Sequence, residues 1–217
     1  MAKYAIDLSP LKKSKDFSLL WAAGLISYFG SMITYVAVPF QIKELTGSYV
    51  AVAISGLVEI VPLIVFGLYG GVLADALDRK KLIWVTELLS LLFTAILLIN
   101  SMMDSPNLLL IYIVSGLFAA TSGLRQPAMQ AALPRLVDHE DMTAAAALMS
   151  LRWQIGVIVG PAIGGVLIST YSVAVGYAAD IATFVISLAL IAFMKNIPPS
   201  HEAVSYTHLT LPTKRIV

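Results

Sequence analysis

The 217-residue sequence has no cysteine, only three histidines and little charge. Without cysteine, the chain has no disulfide framework, no thiolate metal site and no cysteine nucleophile. Charged residues make up 12% of the chain, which is about half the share usual in soluble domains. Fourteen basic residues against thirteen acidic ones leave a net charge of +1, which indicates neither a nucleic-acid partner nor an acidic tail.

Apolar residues make up 59% of the chain and form six long segments. A bilayer core about 30 Å thick needs about 20 apolar residues per helix. The segments run over residues 17–42, 49–73, 82–101, 108–129, 146–170 and 172–194. The sequence therefore predicts an all-α polytopic membrane protein with six transmembrane helices. We expect three parts: a cytoplasmic N-terminal segment, 1–16, a six-helix domain, 17–195, and a linker start with a tail, 196–217.

Lysine and arginine are distributed unevenly between the two sides of the predicted spans. Lys3, Lys12, Lys13, Lys15, Arg79, Lys80, Lys81, Arg135 and Lys195 fall on one side, and the other side offers only Lys43. Because basic residues are retained in the cytoplasm, this asymmetry predicts that both ends of the six-helix domain are cytoplasmic.

The tetrapeptide Gly-Gly-Val-Leu occurs at residues 70–73, closing the second span, and again at residues 164–167, near the end of the fifth. Each copy would lie on the second helix of a three-helix unit. Two units with an odd number of spans must face in opposite directions across the membrane. The echo therefore predicts an inverted three-plus-three repeat, a common plan of secondary transporters.

The end of the chain differs in character from the rest. Residues 204–213, Val-Ser-Tyr-Thr-His-Leu-Thr-Leu-Pro-Thr, resemble the in-frame translation of an adapter used in sequencing libraries. We expect native sequence to end near residue 203, so that the chain is a truncated gene product. The alternative is a genuine polar tail.

The connection between the second and third spans carries an ordered motif. Gly71, Asp75, Arg79 and Lys80 resemble the signature G-x-x-x-D-x-x-G-R-[RK] of the major facilitator superfamily, with Asp78 where the family usually has glycine. The resemblance implies that Gly71 permits close helix approach and that Asp75 and Arg79 form a charged latch at the cytoplasmic mouth. Alternatively, the basic residues only fix the topology.

The fifth span contains a run of small residues that predicts close helix packing. Its members are Gly156, Gly160, Pro161, Gly164 and Gly165, and they resemble the G-P-x-x-G-G element of exporters in the superfamily. Ordinary packing in any polytopic protein would also explain them.

Further segments extend the resemblance to the siderophore-exporting, enterobactin exporter-like branch of the superfamily. These segments are residues 36–42, 125–128 and 133–137. The resemblance covers about residues 10 to 195, the N-terminal half of a twelve-helix carrier. It implies proton-coupled export of a siderophore or similar small molecule across a bacterial inner membrane, no cofactor, and a second six-helix half as partner.

Ionisable residues inside spans are costly and usually face the bundle interior. Glu59 lies ten residues into the second span, near the membrane midplane, with small neighbours one turn away. Asp180 lies within the sixth span, so both carboxylates are candidates for proton coupling, with purely structural roles as the alternative. Glu87, Arg125 and Arg152 fall at comparable depths nearer the cytoplasm, which predicts a buried charge cluster. The fourth span lacks a central arginine, so proton coupling depends on Glu59 and the resemblance.

Other classes of membrane protein are weighed by what the spans contain. His139, His201 and His208 all fall outside the spans, so an intramembrane serine protease has no buried dyad. We expect a non-enzyme without a metal site. The membrane half of an ATP-driven exporter and a non-transporting six-span scaffold remain alternatives; the loop motif disfavours the first, and substrate efflux would separate the second.

Overall fold

A computed structural model describes residues 7–198, and within them the chain forms seven α-helices. In chain order they are α1 Ser9–Lys13, α2 Lys15–Thr46, α3 Tyr49–Ala76, α4 Arg79–Ser101, α5 Leu108–Leu136, α6 Met142–Thr170 and α7 Val173–Ala192, with a 3-10 turn at His139–Asp141 before α6. Helices α2 to α7 are each long and apolar enough to cross a membrane, which confirms the six predicted spans. The tail expected from an adapter, 204–213, lies outside the described residues.

Capping side chains, rather than hydropathy, decide where most of the spans begin. Ser14, Ser48, Asp78, Asn107 and Ser172 each accept a hydrogen bond from a backbone N–H in the first turn of the following helix. Helix α4 therefore starts at Arg79, before the apolar run that predicted a start at 82. At the other end of α2, Gly47 takes the left-handed conformation, φ 66°, that terminates the helix.

The two three-helix units, α2–α4 and α5–α7, pack on each other symmetrically. Each helix contacts the same set of positions in the opposite unit as its counterpart does. Helix α2 packs mainly on α6 and α7, while α5, the first helix of the second unit, packs mainly on α3 and α4. Helices α4 and α7, the third of each unit, pack on each other. Each second helix thus lies against the first helix of the opposite unit, as a three-plus-three repeat requires.

The repeated Gly-Gly pairs occupy equivalent positions in this packing. The first glycine of each pair is buried against the opposite unit: a Cβ on Gly70 would lie 3.0 Å from the Gly123 carbonyl oxygen, and one on Gly164 would lie 3.1 Å from the Ile33 Cα. For the second glycines, Gly71 and Gly165, no such atom lies within 4 Å. The tetrapeptide echo therefore marks two matching close approaches between helix backbones.

This difference within each pair gives a stability prediction. Gly70→Ala and Gly164→Ala should each destabilise the bundle by about 1–3 kcal/mol, because the new methyl group meets backbone that cannot rotate away. The adjacent changes Gly71→Ala and Gly165→Ala are the matched controls and should be neutral or slightly stabilising, since alanine favours helix. Thermal unfolding in detergent checks this. Equal effects within a pair would show that the approach is not tight.

One large apolar cluster fills each end of the bundle, and a third, smaller cluster consists of Phe17, Ala145 and Leu148. We call the end that carries Lys13, Arg79, Arg135 and Lys195 the basic end. The cluster there includes Leu20 and Ile83 and extends past the expected domain boundary at residue 195, because Ile197 is buried in it. The second cluster lies at the opposite end. Between the clusters, most buried side chains that bear charges or hydroxyl groups occupy a polar layer.

Candidate functional site

A cavity of about 480 Å³ lies between α2, α3, α5 and α6. Its walls combine aromatic rings with few charged groups; the largest or charged members are Tyr28, Tyr35, Glu59, Phe118, Arg125 and Trp153. Within the described residues, α4 contributes Leu97 alone to the lining and α7 contributes nothing. The first and second helices of both units therefore form this site, and the third helices stand behind it.

Glu59 faces the cavity from α3 and is partly buried. Its carboxylate forms no hydrogen bond or ion pair with any residue between 7 and 198. A carboxyl group in an apolar wall with no protein partner is free to exchange a proton or to meet a ligand. It lies in the central part of α3, Tyr49–Ala76.

Asp180 is fully buried behind the cavity wall and is held by hydroxyl groups. Thr34 on α2 donates to its Oδ2 at 2.5 Å, and Thr94 on α4 donates to the same oxygen at 3.3 Å. Thr183 on its own helix lies 3.4 Å from Oδ1. A Cβ on Gly30 would collide with Asp180 and Thr183, so only glycine leaves room for this group at the contact between α2 and α7.

The predicted charge cluster is only partly assembled. Arg125 Nη1 donates to Glu87 Oε1 at 3.0 Å, and the Ser27 hydroxyl donates to the same oxygen at 2.9 Å. Arg152 is buried near them but forms no ion pair with any carboxylate in the described residues. Its Nη1 instead lies 3.6 Å from the Met129 sulfur. The cluster thus holds two guanidinium groups and one carboxylate.

Arg152 lies directly against α2 at Gly24, where any Cβ would collide with its guanidinium group. Gly24 thus leaves room on α2 for the Arg152 side chain, as Gly30 leaves room for Asp180. Sequence inspection missed both glycines and the hydroxyl ligand Thr34. A signal was present, because Gly24, Ser27, Ser31 and Thr34 recur every three or four residues and share one face of α2.

The expected ion pair between Asp75 and Arg79 is not formed in the described residues, and their role as a latch stays a prediction. Helix α3 ends at Ala76, and the extended backbone of Leu77 turns the chain before α4 begins. Asp75 is consequently exposed, whereas Arg79 is buried and donates from Nη1 to the Pro198 carbonyl at 2.9 Å.

The remaining motif residues in this turn hold the segment after α7. Lys80 Nζ donates to the carbonyl oxygens of Ala192, at 3.1 Å, and Met194, where the last turn of α7 leaves acceptors free. Asp78 caps α4 and also accepts from the Ile197 N–H at 3.4 Å. A Cβ on Gly71 would face open space, so Gly71 makes no close approach to another helix in the described residues.

The small residues of α6 are split between two environments. Gly156 lies against Tyr28, Gly160 against Met32 and Gly164 against Ile33, all on α2. Pro161 is half-buried, and Gly165 faces open space. Close packing of α6 on α2 thus involves three of the four predicted glycines.

At the basic end, a salt bridge joins the start of the chain to the turn before α6. Lys13 Nζ and Asp141 Oδ2 are 2.9 Å apart. The hydrogen bond to Asp141 raises the pKa of the Lys13 ammonium, which therefore stays charged at physiological pH.

Six spans in two symmetrically packed three-helix units, a lateral cavity and buried charges define one half of a secondary carrier. The chain belongs to the transmembrane secretion effector family of the major facilitator superfamily, whose sequence profile matches residues 5–208. That range includes part of the segment expected to derive from an adapter, whose origin stays a prediction.

Curated proteins that are similar to this chain are named as exporters. The chain is 34% identical over 200 residues to proteins named enterobactin exporter EntS from Citrobacter koseri, Shigella boydii serotype 18 and Escherichia coli O1:K1. Each alignment covers 90% of this chain and 47% of the relative, so the chain spans about half the length of the curated relatives it matches. These likenesses point to a transporter rather than an enzyme, and they do not favour an ATP-driven exporter half or a scaffold.

Proposed function

We propose that this chain forms the N-terminal half of a secondary active exporter that moves a siderophore or similar small molecule outward in exchange for protons. The carrier that contains both halves is called the two-half carrier below. The observation that carries the proposal is the cavity, which four helices line from one side and into which Glu59 projects without a protein partner. A second six-helix half would supply the opposite wall.

The two carboxylates within the spans are the candidates for proton coupling. Glu59 stands in the cavity, where it can exchange its proton as substrate binds and leaves. Asp180 stands behind the cavity wall. Gly71, Asp75, Arg79 and Lys80 act at the basic end as the cytoplasmic gate; the contacts of Arg79 and Lys80 with the segment after α7 support this role, because they tie the gate turn to the chain that leads toward the second half.

An efflux assay tests this function. Proteoliposomes with the two-half carrier should accumulate enterobactin or a similar siderophore against a gradient when a proton gradient is imposed, and an uncoupler should abolish the accumulation. The chain alone should give no vectorial efflux, because it provides one cavity wall. Vectorial efflux by the chain alone, without self-association, would contradict the proposal.

We further propose that both ends of the described helical bundle are cytoplasmic and that the membrane is the bacterial inner membrane. Because the chain has no cysteine, single cysteines can be introduced without background. Met103→Cys and Tyr171→Cys, both exposed in turns at the opposite end, should react with an impermeant maleimide added to intact cells. Leu77→Cys and Glu140→Cys at the basic end should react only after permeabilisation. The reverse pattern would invert the topology.

A further inference from the structure

A column of buried polar side chains follows one face of α2, behind the cavity. Ser27, Ser31, Thr34 and Gln41 are each at most 4% exposed. Three of them meet polar partners across the bundle: Ser27 meets Glu87 on α4, while Thr34 and Gln41 meet Asp180 and Tyr177 on α7. From Ser27 to Gln41 the helix rises about 21 Å, which is more than half of a bilayer core about 30 Å thick.

Three hydroxyl groups in this region are buried and unsatisfied. Ser31 on α2, Ser115 on α5 and Ser187 on α7 make no hydrogen bond with residues 7–198. Ser187 is two helical turns from Asp180 and shares its face of α7. Buried hydroxyls without a protein partner are groups that ordered water satisfies. The column therefore has the polar atoms that a hydrated proton route needs.

The column meets the cavity at Ser31 and Thr34, and of these two only Thr34 contacts Asp180. The Thr34 side chain lines the cavity, and its hydroxyl donates to Asp180 Oδ2 at 2.5 Å. Thr94 donates to the same oxygen at 3.3 Å but does not line the cavity, and neither does Thr183. Among the described hydrogen-bond partners of Asp180, only Thr34 thus contacts the carboxyl group and also lines the cavity.

We propose that Asp180 is a proton-carrying site of the carrier and that the Thr34 hydroxyl passes protons between Asp180 and the cavity. The inference rests on the proposed proton-coupled export. In the loading step, a hydronium ion in the cavity gives a proton to Thr34 Oγ1 while the original hydroxyl proton of Thr34 moves to Asp180 Oδ2. One O–H bond breaks and one forms at each transfer, Thr34 is left unchanged, and no electron is gained or lost.

The charge on Asp180 is governed by few neighbouring groups. Tyr177 on the same helix is engaged with Gln41 at 2.8 Å. Glu87 is a buried acid on α4, which packs against α7, and Ser27 and Arg125 hold it. Helix α2 presents the Thr34 hydroxyl to Asp180. The rate of proton transfer at Asp180 should consequently depend mainly on the threonines that contact it.

Infrared difference spectroscopy of the purified 217-residue chain in nanodiscs tests the inference without requiring transport. Between alkaline and acid pH, carboxylic acid C=O bands should appear, and Asp180→Asn should remove one of them. Thr34→Val should slow hydrogen–deuterium exchange of that band by ~10-fold or more, as loss of a positioned proton-transfer group does. Thr34→Ser should restore the rate. Thr94→Val, which removes another hydroxyl from the same oxygen, should change it by less than about twofold on the same scale.

The outcomes separate this inference from the proposed function. Equal slowing by Thr34→Val and Thr94→Val, or a set of titrating bands that Asp180→Asn leaves complete, would overturn the proton route whatever the efflux assay gives. If Asp180→Asn does not fold, the comparison of the two threonine variants still decides. If exchange of the band is slowed only in Thr34→Val and the two-half carrier exports nothing, the results would refute export while supporting the proton site.

Discussion

Glu59→Gln in the two-half carrier should abolish accumulation of substrate against a gradient while leaving substrate binding and exchange intact. Glutamine keeps the size of the side chain but cannot release a proton. Since Glu59 has no protein partner in the described residues, the substitution breaks no internal contact, and the bundle should remain as stable as before. An uncoupled carrier only equilibrates its substrate, so the steady-state concentration ratio should fall to about 1.

The matched control for this change is Glu44→Gln. Glu44 is exposed near the end of α2 and does not line the cavity, so the same chemical change there should leave accumulation unaffected. Counterflow of labelled substrate and proton-driven accumulation should be measured on the same proteoliposomes. Accumulation near the unmodified level in Glu59→Gln would exclude Glu59 as a coupling residue and leave Asp180 as the remaining candidate in the described spans.

The second large effect is expected on stability, from Glu87→Gln. Glu87 is 1% exposed and is the carboxylate that offsets the charge of Arg125, with Arg152 buried nearby. Removing one partner of a buried pair leaves the other charge uncompensated, at a cost of about 3–5 kcal/mol. The free energy of unfolding in mixed micelles, followed by tryptophan fluorescence, should fall by this order.

Two further variants make the result specific to the buried charge. Glu87→Gln combined with Arg125→Gln should recover much of the loss, because both charges are then removed together. Asp141→Asn breaks the salt bridge to the exposed Lys13 and should cost clearly less, since solvent screens such pairs. If Glu87→Gln were no more harmful than Asp141→Asn, the buried pair would not hold the bundle together.

Much of the fold could be predicted from the sequence alone, because the signals are local. Runs of apolar residues identify six spans, and residues such as Ser48 and Asn107 mark helix starts through their own hydrogen bonds. The glycine echo at 70–73 and 164–167 predicted the repeat of two three-helix units. The signal is local because two helix backbones can approach closely only where the helix carries a glycine. Each signal depends on residues within a few positions of one another.

Residues in the candidate site were also found one at a time from the sequence, although their partners were not. Glu59, Asp180, Glu87, Arg125 and Arg152 stand out because charge is rare inside spans. No ion pair joins Asp75 and Arg79 in the described residues, because neighbours in sequence need not be neighbours in space. The turn at Leu77 separates them, and Arg79 pairs with carbonyl groups beyond α7 instead.

The sequence by itself determined how many helices cross the membrane, in what order, and which of them carry buried charges. Only the tertiary structure decided that Thr34 and Thr94 hold Asp180, from positions 146 and 86 residues away in the chain, and that Arg152 has no carboxylate partner among residues 7–198. The physical reason is that lipid tails are as apolar as leucine side chains. A membrane helix therefore carries little hydrophobic signal for which side faces its neighbours, and the rotation of each helix is fixed by packing.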